Sequence, residues 1–234
     1  MSNEINFETY LFINNKKIII CVIDNISFET IYLEQISLNE NHGKTNFKIL
    51  NEFLDKNIFK VEKILKNFIK DINIILDSEE FFSVNLSIKK NNNGNYIDSD
   101  ALMLPLDDLK NSCQSNFQEK KIIHILIENY LIDNKSYHSL PQKLKCNFFS
   151  LDVKFICLSK NLIENLEAEL KKYHIMVNQI LCSSYIQNFA SENHQNIFTT
   201  ASRIKSGLNE NEVKLVPKIS KNKGFFEKFF EFFS

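Results

Sequence analysis

The strongest constraint on how this chain can fold comes from residues 223–234, in which six of the twelve are phenylalanine. Wound as an α-helix, this segment places the six rings within an arc of roughly 160°, opposite Glu227, Lys228 and Glu231. A short helix cannot bury such a face by itself, so the cover must be the body of this protein, a groove in another protein, or a lipid headgroup layer. We predict lipid. The predicted membrane-binding residues are Phe225, Phe226, Phe229, Phe230, Phe232 and Phe233, with Lys221, Lys223 and Lys228 as the cations for anionic headgroups.

Length and composition place the rest of the chain among ordinary globular proteins. Its 234 residues are 44% hydrophobic and 24% charged, enough for one core, or for one core with a small appended lobe. A net charge of −1 gives no argument for a nucleic-acid partner, and we expect none. The apolar run at 18–23 is too short to span a bilayer, so no leader or span is expected there.

The cysteines form no Cys-x-x-Cys pair, and most lie in or beside apolar runs. We therefore predict reduced, buried thiols in a cytoplasmic protein. The five are Cys21, Cys113, Cys146, Cys157 and Cys182.

Hydrophobic periodicity predicts an α+β fold, with helices on one face of a small antiparallel or mixed sheet. Pro105 is expected at a helix start and Asn161 at a helix N-cap, while the Asn-rich run at 91–95 is typical of a turn. Strands are predicted at 10–13, 17–23, 28–36, 82–88, 122–132, 148–158 and 175–181. Helices are predicted at 47–54, 59–72, 105–118, 161–173, 183–189 and 197–208.

The order of the motifs after residue 120 resembles the bacterial cell-division actin-like protein FtsA. In that family, a strand with an Ile-Ile-His start and a Tyr-x-(Ile/Val)-Asp end leads through a loop and a strand to a helix that begins Asn-Leu, and then to a closing strand. Residues 196–201 are similar to the start of the family's last helix, which a linker and an amphipathic membrane-targeting helix follow. The positions that carry the resemblance are Ile122, Ile123, His124, Tyr130, Ile132, Asp133, Asn161, Leu162 and Val177.

The resemblance implies a partial actin-like 1A subdomain that carries a 1C module of the SHS2 type, followed by the C-terminal amphipathic helix. The predicted units are residues 1–57, an N-terminal strand meander; 58–181, the 1C-like module; 182–208, a returning helical segment; 209–222, a flexible linker; and 223–234, the membrane-targeting helix.

The chain also departs from the family pattern. Phe12 stands where the first phosphate turn has Asp, Asn14 stands where it has Gly, and Tyr173 or His174 replaces a Gly before the last strand. Between residues 186 and 196 the second nucleotide-binding lobe is missing. A phosphate cradle needs closely approaching backbone amides and a carboxylate for the metal, so we expect no nucleotide. The resemblance places the family's surface for FtsZ in the missing lobe, so we expect that surface to be lost as well.

No pattern of catalytic residues supports an enzyme. His124 lies within an apolar strand and the other histidines lack ligand spacing, so structural or solvent roles are favoured over metal binding. The adjacent carboxylates Asp107 and Asp108, or Glu79 and Glu80, point apart, and the serines at 183–184 have no nearby base. We expect no catalytic residue, cofactor or metal.

The sequence therefore predicts a non-catalytic, FtsA-like cell-division adaptor on the cytoplasmic face of the inner membrane. Its expected partners are anionic lipids, division proteins bound through the 1C-like module, and further copies of the chain. Two alternatives remain: a type IV pilus assembly scaffold of the PilM kind, and a soluble interaction protein whose Phe-rich tail docks in a partner groove. Because one short tail binds lipid reversibly, stable residence needs self-association or a second membrane-held partner.

Overall fold

The computed structural model describes residues 6–38, 45–193 and 196–214, without the side chains of 191–193. These residues form two β-sheets and five helices. In chain order the elements are β1 (Phe7–Ile13), β2 (Lys17–Asp24), β3 (Thr30–Ser37), α1 (Phe47–Leu65), β4 (Asp71–Leu76), β5 (Phe82–Ile97), α2 (Ser99–Asn116), β6 (Lys120–Ile132), β7 (Lys135–Tyr137), β8 (Leu144–Ser159), α3 (Lys160–Lys171), β9 (Met176–Cys182), α4 (Ser183–Asn193) and α5 (Ile197–Lys205).

The first sheet has the strand order β3-β2-β1-β4-β9. The first three strands form the antiparallel meander that the sequence predicts, and β4 and β9 add to it in parallel with β1. Helices α1 and α3 cover one face, whereas α4 and α5 cover the other. The expectation of helices on a single face is therefore wrong for this sheet. Burial on both faces explains why strands such as β2 read as continuous apolar runs.

The second sheet has the order β5-β8-β6-β7 and is antiparallel throughout. All four of its strands lie between β4 and α3 in the sequence. Helix α2 covers one of its faces, where Leu102 and Leu109 pack with Phe149 and Phe155. The other face carries polar side chains such as Ser87 and Asp152, which are hydrogen bonded to each other.

Helix α1 joins two segments that the sequence predicts as separate helices. Asn57 interrupts the apolar pattern, but it is buried; its amide donates to the Phe53 carbonyl at 2.8 Å and its oxygen accepts from the Tyr32 hydroxyl at 2.7 Å. The predicted boundary between 57 and 58 falls inside this helix. The helix ends at Leu65, because Lys66 adopts the left-handed conformation with φ 51°. Residues 71–76, partly predicted as helix, are strand β4.

Two further helix starts differ from the sequence predictions. Helix α2 begins at Ser99, capped by Asp98, whose carboxylate accepts from the Ala101 amide at 3.0 Å; Pro105 therefore lies inside the helix. Helix α3 begins at Lys160, so Asn161 is a helical residue and not the N-cap.

The Asn-rich run predicted as a turn belongs to strand β5. Asn91 pairs with Phe148 and Asn95 with Cys146, and the register shifts between them. Asn93 and Gly94 have positive φ values of 51° and 76°. The run is therefore an irregularity within a long antiparallel strand, where the local twist increases.

All five cysteines lie within the described residues, where they are buried and unpaired. Burial raises the pKa of Cys21 and of Cys157 to about 12, which keeps these thiols protonated and unreactive. The sulfur atoms of Cys113 and Cys157 lie 3.9 Å apart without a bond. The prediction of buried cysteines is confirmed.

Candidate functional site

The predicted membrane-binding residues lie outside the described residues. They are Phe225, Phe226, Phe229, Phe230, Phe232, Phe233, Lys221, Lys223 and Lys228. What the structure does define is the position of Lys214, the last described residue. It lines one groove together with Val177 of β9 and Val213.

Residues 209–213, which we call the strap, cross from the first sheet's helices to strand β6. The Ile127 amide donates to the Asn211 carbonyl and the Val213 amide donates to the Ile125 carbonyl, both at 2.9 Å. The Asn211 side chain also accepts from Tyr130 at 3.1 Å. The prediction of a flexible linker beginning at residue 209 is therefore wrong for this part, because paired backbone amides fix it to the sheet; 215–222 lie outside the described residues.

His124 lies at the junction between the strap and both sheets, and it is only 1% exposed. Its Nε2 accepts from the Cys182 amide at 3.1 Å, and its Nδ1 lies 2.6 Å from a Glu212 carboxylate oxygen. An Nε2 that accepts leaves the proton on Nδ1, which donates to Glu212. His124 thus joins β6, the end of β9 and the strap.

Tyr185 of α4 completes this buried network. Its hydroxyl donates to the second Glu212 oxygen at 2.9 Å and accepts from the Asn209 side chain at 2.9 Å. Burial, supported by the nearby Glu212 carboxylate, raises the pKa of Tyr185, so the phenol remains a donor. No sequence pattern indicates this network, since Glu212 lies among polar residues typical of a linker and its partners are far away in the chain.

The β1–β2 hairpin occupies the position that the resemblance assigns to the first phosphate turn. The Asn14 side-chain oxygen accepts from the amides of Lys16 at 3.0 Å and Lys17 at 2.7 Å. The Asn14 amide itself donates to the Lys17 carbonyl at 3.1 Å. Phe12, in place of the Asp, is 5% exposed and packs in the core. These amides already have acceptors, so this hairpin is not free to cradle a phosphate.

A cleft of about 160 Å³ lies beside this hairpin, at the carboxyl ends of β1 and β4. Asp77 and Glu79 contribute to its lining and are exposed. Ligands of open α/β sheets usually bind at this end of the strands. Two carboxylates here repel an anionic ligand, in the absence of a cation to bridge them.

A larger groove, of about 740 Å³, runs between the open face of the second sheet and helix α4. We call it the inter-sheet groove. Ile156 and Phe81 give it apolar walls, and Tyr185 closes one side. Lys154 and Glu128, 3.9 Å apart, place opposite charges at its lining. The groove thus combines apolar surface with a few charged groups, which is typical of a site for a protein segment.

The other sequence candidates have local structural partners. Asp108 forms an ion pair with Lys90 at 2.8 Å, and buried Ser183 accepts from the Gln187 side chain at 3.0 Å. In the described ranges no cluster of three or more metal-ligating side chains occurs. Nor do the helices of these ranges include one that is long and apolar enough to cross a bilayer.

Comparison with known proteins gives likeness in fold only. No protein-family model matches the chain, and no curated protein matches it. Its fold is similar to a structure of the PilM–PilN type IV pilus biogenesis complex, with a TM-score of 0.52 and 8% identity over 80% of this chain and 50% of that one.

Two other solved structures are less similar. One is the cytoplasmic domain of EpsL, an inner-membrane component of the type II secretion system of Vibrio cholerae, with a TM-score of 0.40 and 11% identity over 77% of this chain and 58% of that one. The other is a Bacteroides thetaiotaomicron protein with an actin-like ATPase fold, with a TM-score of 0.36 and 13% identity over 82% and 58% of the two chains.

The likeness in fold thus rests on the PilM–PilN structure. The chain spans between half and three fifths of the length of these solved chains. The resemblance to FtsA in particular stays a prediction.

Proposed function

We propose that this chain is a non-catalytic adaptor with an actin-like body, held at the cytoplasmic face of the bacterial inner membrane and bound to a partner protein. The observation that carries the proposal is the hairpin at Asn14, where the backbone amides of the phosphate-turn position are bonded to a side chain of the protein itself. A protein with an actin-like fold but no usable phosphate turn acts by binding partners through its surface.

The inter-sheet groove is the proposed partner site. It lies where the second sheet, which we interpret as the 1C-like module, meets helix α4. PilM, to which the fold is similar, occurs in a complex with PilN. By analogy, we propose that this groove receives a segment of a membrane-associated protein, and that the second sheet also supports self-association.

Two assemblies are candidates for the partner. The likeness to PilM favours a scaffold of type IV pilus assembly. The order of motifs after residue 120 and the Phe-rich tail favour an FtsA-like division adaptor. A fluorescent fusion separates the two, since a division adaptor gives a midcell band and a pilus scaffold does not.

Photo-crosslinking in cells tests the proposed groove. A photoreactive residue at Ser83, which lines the groove, is expected to capture a partner, whereas one at exposed Asn111 on helix α2 is the matched control. Equal capture at both positions, or capture at Asn111 alone, contradicts the proposed site.

Liposome flotation of the full chain tests the membrane part of the proposal. Wild type is expected to float with anionic vesicles, and the Phe226→Glu, Phe229→Glu variant is expected to lose most of this binding, because two glutamates disrupt the apolar face. Wild-type protein that stays at the bottom of the gradient contradicts a membrane adaptor.

A further inference from the structure

An exposed apolar surface lies at the amino-terminal end of the first sheet. Ile26, Phe68 and Met176 are 79%, 75% and 68% exposed. Ile26 lies in the turn between β2 and β3, Phe68 lies in the connection from α1 to β4, and Met176 is the first residue of β9. We call this surface the amino-end rim.

The strand register places these residues at the same end of the sheet. Strands β1, β4 and β9 are parallel and begin there, whereas β2 ends there, with Asp24 opposite Phe7. The Met176 amide donates to the Lys70 carbonyl at 3.0 Å, which brings the start of β9 next to the loop that carries Phe68. The rim therefore crosses the end of the sheet.

Lysines flank the part of the rim that Phe68 and Met176 form, whereas half-buried Asp24 and exposed Glu29 lie beside Ile26. Residues 63–71 and 169–176 together contain five lysines and the two carboxylates Asp71 and Glu169, a net charge of +3 with His174 neutral. The whole chain carries −1, so positive charge is concentrated around Phe68 and Met176. The lysines, all of them exposed, are Lys63, Lys66, Lys70, Lys171 and Lys172.

The described part of the chain ends in the same region, at Lys214. Lys214 lines a groove with Val177, the residue that follows Met176. Eight residues separate Lys214 from Lys223, a stretch that reaches at most roughly 30 Å when extended. The start of the tail and the rim can therefore contact one bilayer together.

We infer that the amino-end rim is a second lipid contact, made with an anionic bilayer surface. This inference rests on the membrane attachment proposed above and adds the orientation of the body on the membrane. Exposed Ile, Phe and Met side chains enter the headgroup boundary, and the lysines interact with anionic headgroups. Because both contacts belong to one chain, the second binding event is intramolecular. The protein therefore stays on the membrane longer than a single short tail would hold it.

Helix α2 provides a matched control patch. Met103 and Leu104 are 62% and 76% exposed, close to the values at the rim. Asp100 and Asp107 are their neighbours at helical spacing, so this patch combines similar apolar exposure with negative charge. An anionic surface repels it.

Vesicle binding by the full chain tests the inference, with phosphatidylglycerol-containing vesicles and neutral phosphatidylcholine vesicles as the two surfaces. Phe68→Ser with Met176→Ser is expected to weaken binding to the anionic vesicles at least fivefold, and Lys66→Glu with Lys70→Glu about tenfold or more. Met103→Ser with Leu104→Ser is expected to stay within twofold of wild type. Urea unfolding of each variant confirms that the body remains folded.

Each outcome separates this inference from the proposed function. Rim variants that bind anionic vesicles as tightly as wild type overturn the inference and leave attachment to the tail alone. Equal weakening by the Met103 and Leu104 control also overturns it, because exposed apolar area of any kind then suffices. Wild type that binds neither vesicle overturns both the membrane attachment and the rim.

Discussion

At the carboxyl ends of β1 and β4, the hairpin amides are bonded to Asn14, and the adjacent cleft carries Asp77 and Glu79. At the opposite end of the same sheet, Phe68 and Met176 are exposed among lysines. One end therefore disfavours anions and the other attracts them. Open α/β sheets usually bind ligands at the carboxyl ends of their strands. In this chain, by contrast, the proposed anion-binding surface lies at the amino ends of the strands.

The largest expected effect on stability concerns the strap, which holds the last described residues against strand β6. Glu212→Ala removes the acceptor for the buried His124 Nδ1–H and for the Tyr185 hydroxyl. Two buried donors without an acceptor cost about 3 kcal/mol of unfolding free energy, measured by urea denaturation. Glu210, exposed in the same strap, is the control, and Glu210→Ala is expected to change stability by less than about 0.5 kcal/mol. Equal effects of the two substitutions contradict the strap as described.

A smaller effect on the unfolding free energy is expected at the carboxyl end of strand β1. Asn14→Ala removes the acceptor of the Lys16 and Lys17 amides, and these groups can then bond to water, so we expect a loss of about 1 kcal/mol in urea unfolding. Asn15→Ala, at the exposed neighbouring position, is expected to be nearly neutral.

The same hairpin gives an expectation for nucleotide. Calorimetric titration of wild type and of Asn14→Gly with magnesium ATP is expected to show no binding, because Phe12 still replaces the metal-binding carboxylate and Asp77 and Glu79 still line the cleft. Saturable binding of ATP by wild type contradicts the proposed loss of nucleotide function.

The smallest effect is a pH dependence at the amino end, where Glu8 of β1 bonds to Lys205 of α5 at 2.8 Å. Burial alone would raise the pKa of Glu8, but the hydrogen bonds from Lys205 and Tyr10 outweigh it and hold this pKa below its ordinary value of 4.5. The stabilisation is therefore complete above the unfolded-state pKa and is lost as the pH falls through the folded-state pKa. Urea unfolding between pH 7 and pH 3 is expected to show a shallower acid loss for Glu8→Gln than for wild type. Glu29→Gln, exposed in the β2–β3 turn, is expected to retain the wild-type slope.

The sequence predicts most elements of the fold, and its errors have physical causes. Strands β1 to β3, β6 and β8 follow from apolar alternation or β-branched runs. The predicted helix at 59–72 extends into the first two residues of strand β4, because Ile72 continues the helical spacing of α1, and the rest of this strand, buried on both faces, lacks the alternation that marks a half-exposed strand. The continuity of α1 could not be predicted, because Asn57 interrupts the apolar pattern of the helix. Its amide is buried all the same, since it is hydrogen bonded to two partners.

Some of the candidate sites could be predicted from the sequence and others could not. Phe12 and Asn14 could be identified from the sequence, because their side chains alone decide what a phosphate turn can do. The strap could not be, since Glu212 and His124 are 88 residues apart and polar residues at 209–212 are typical of a linker. The rim could not be predicted from the sequence either, because only the strand register places Ile26, Phe68 and Met176 at the same end of the sheet.

The orientation of the body on the membrane tests the central claim most directly. All five native cysteines are buried, so Phe68→Cys and Asn15→Cys each provide a single accessible thiol for a polarity-sensitive fluorophore at one end of the first sheet. On anionic vesicles, the fluorophore at position 68 is expected to shift to the blue and to be quenched by lipid-borne quenchers, whereas the one at position 15 remains in water. Quenching at position 15 alone, or at neither position while the protein is vesicle-bound, contradicts the orientation.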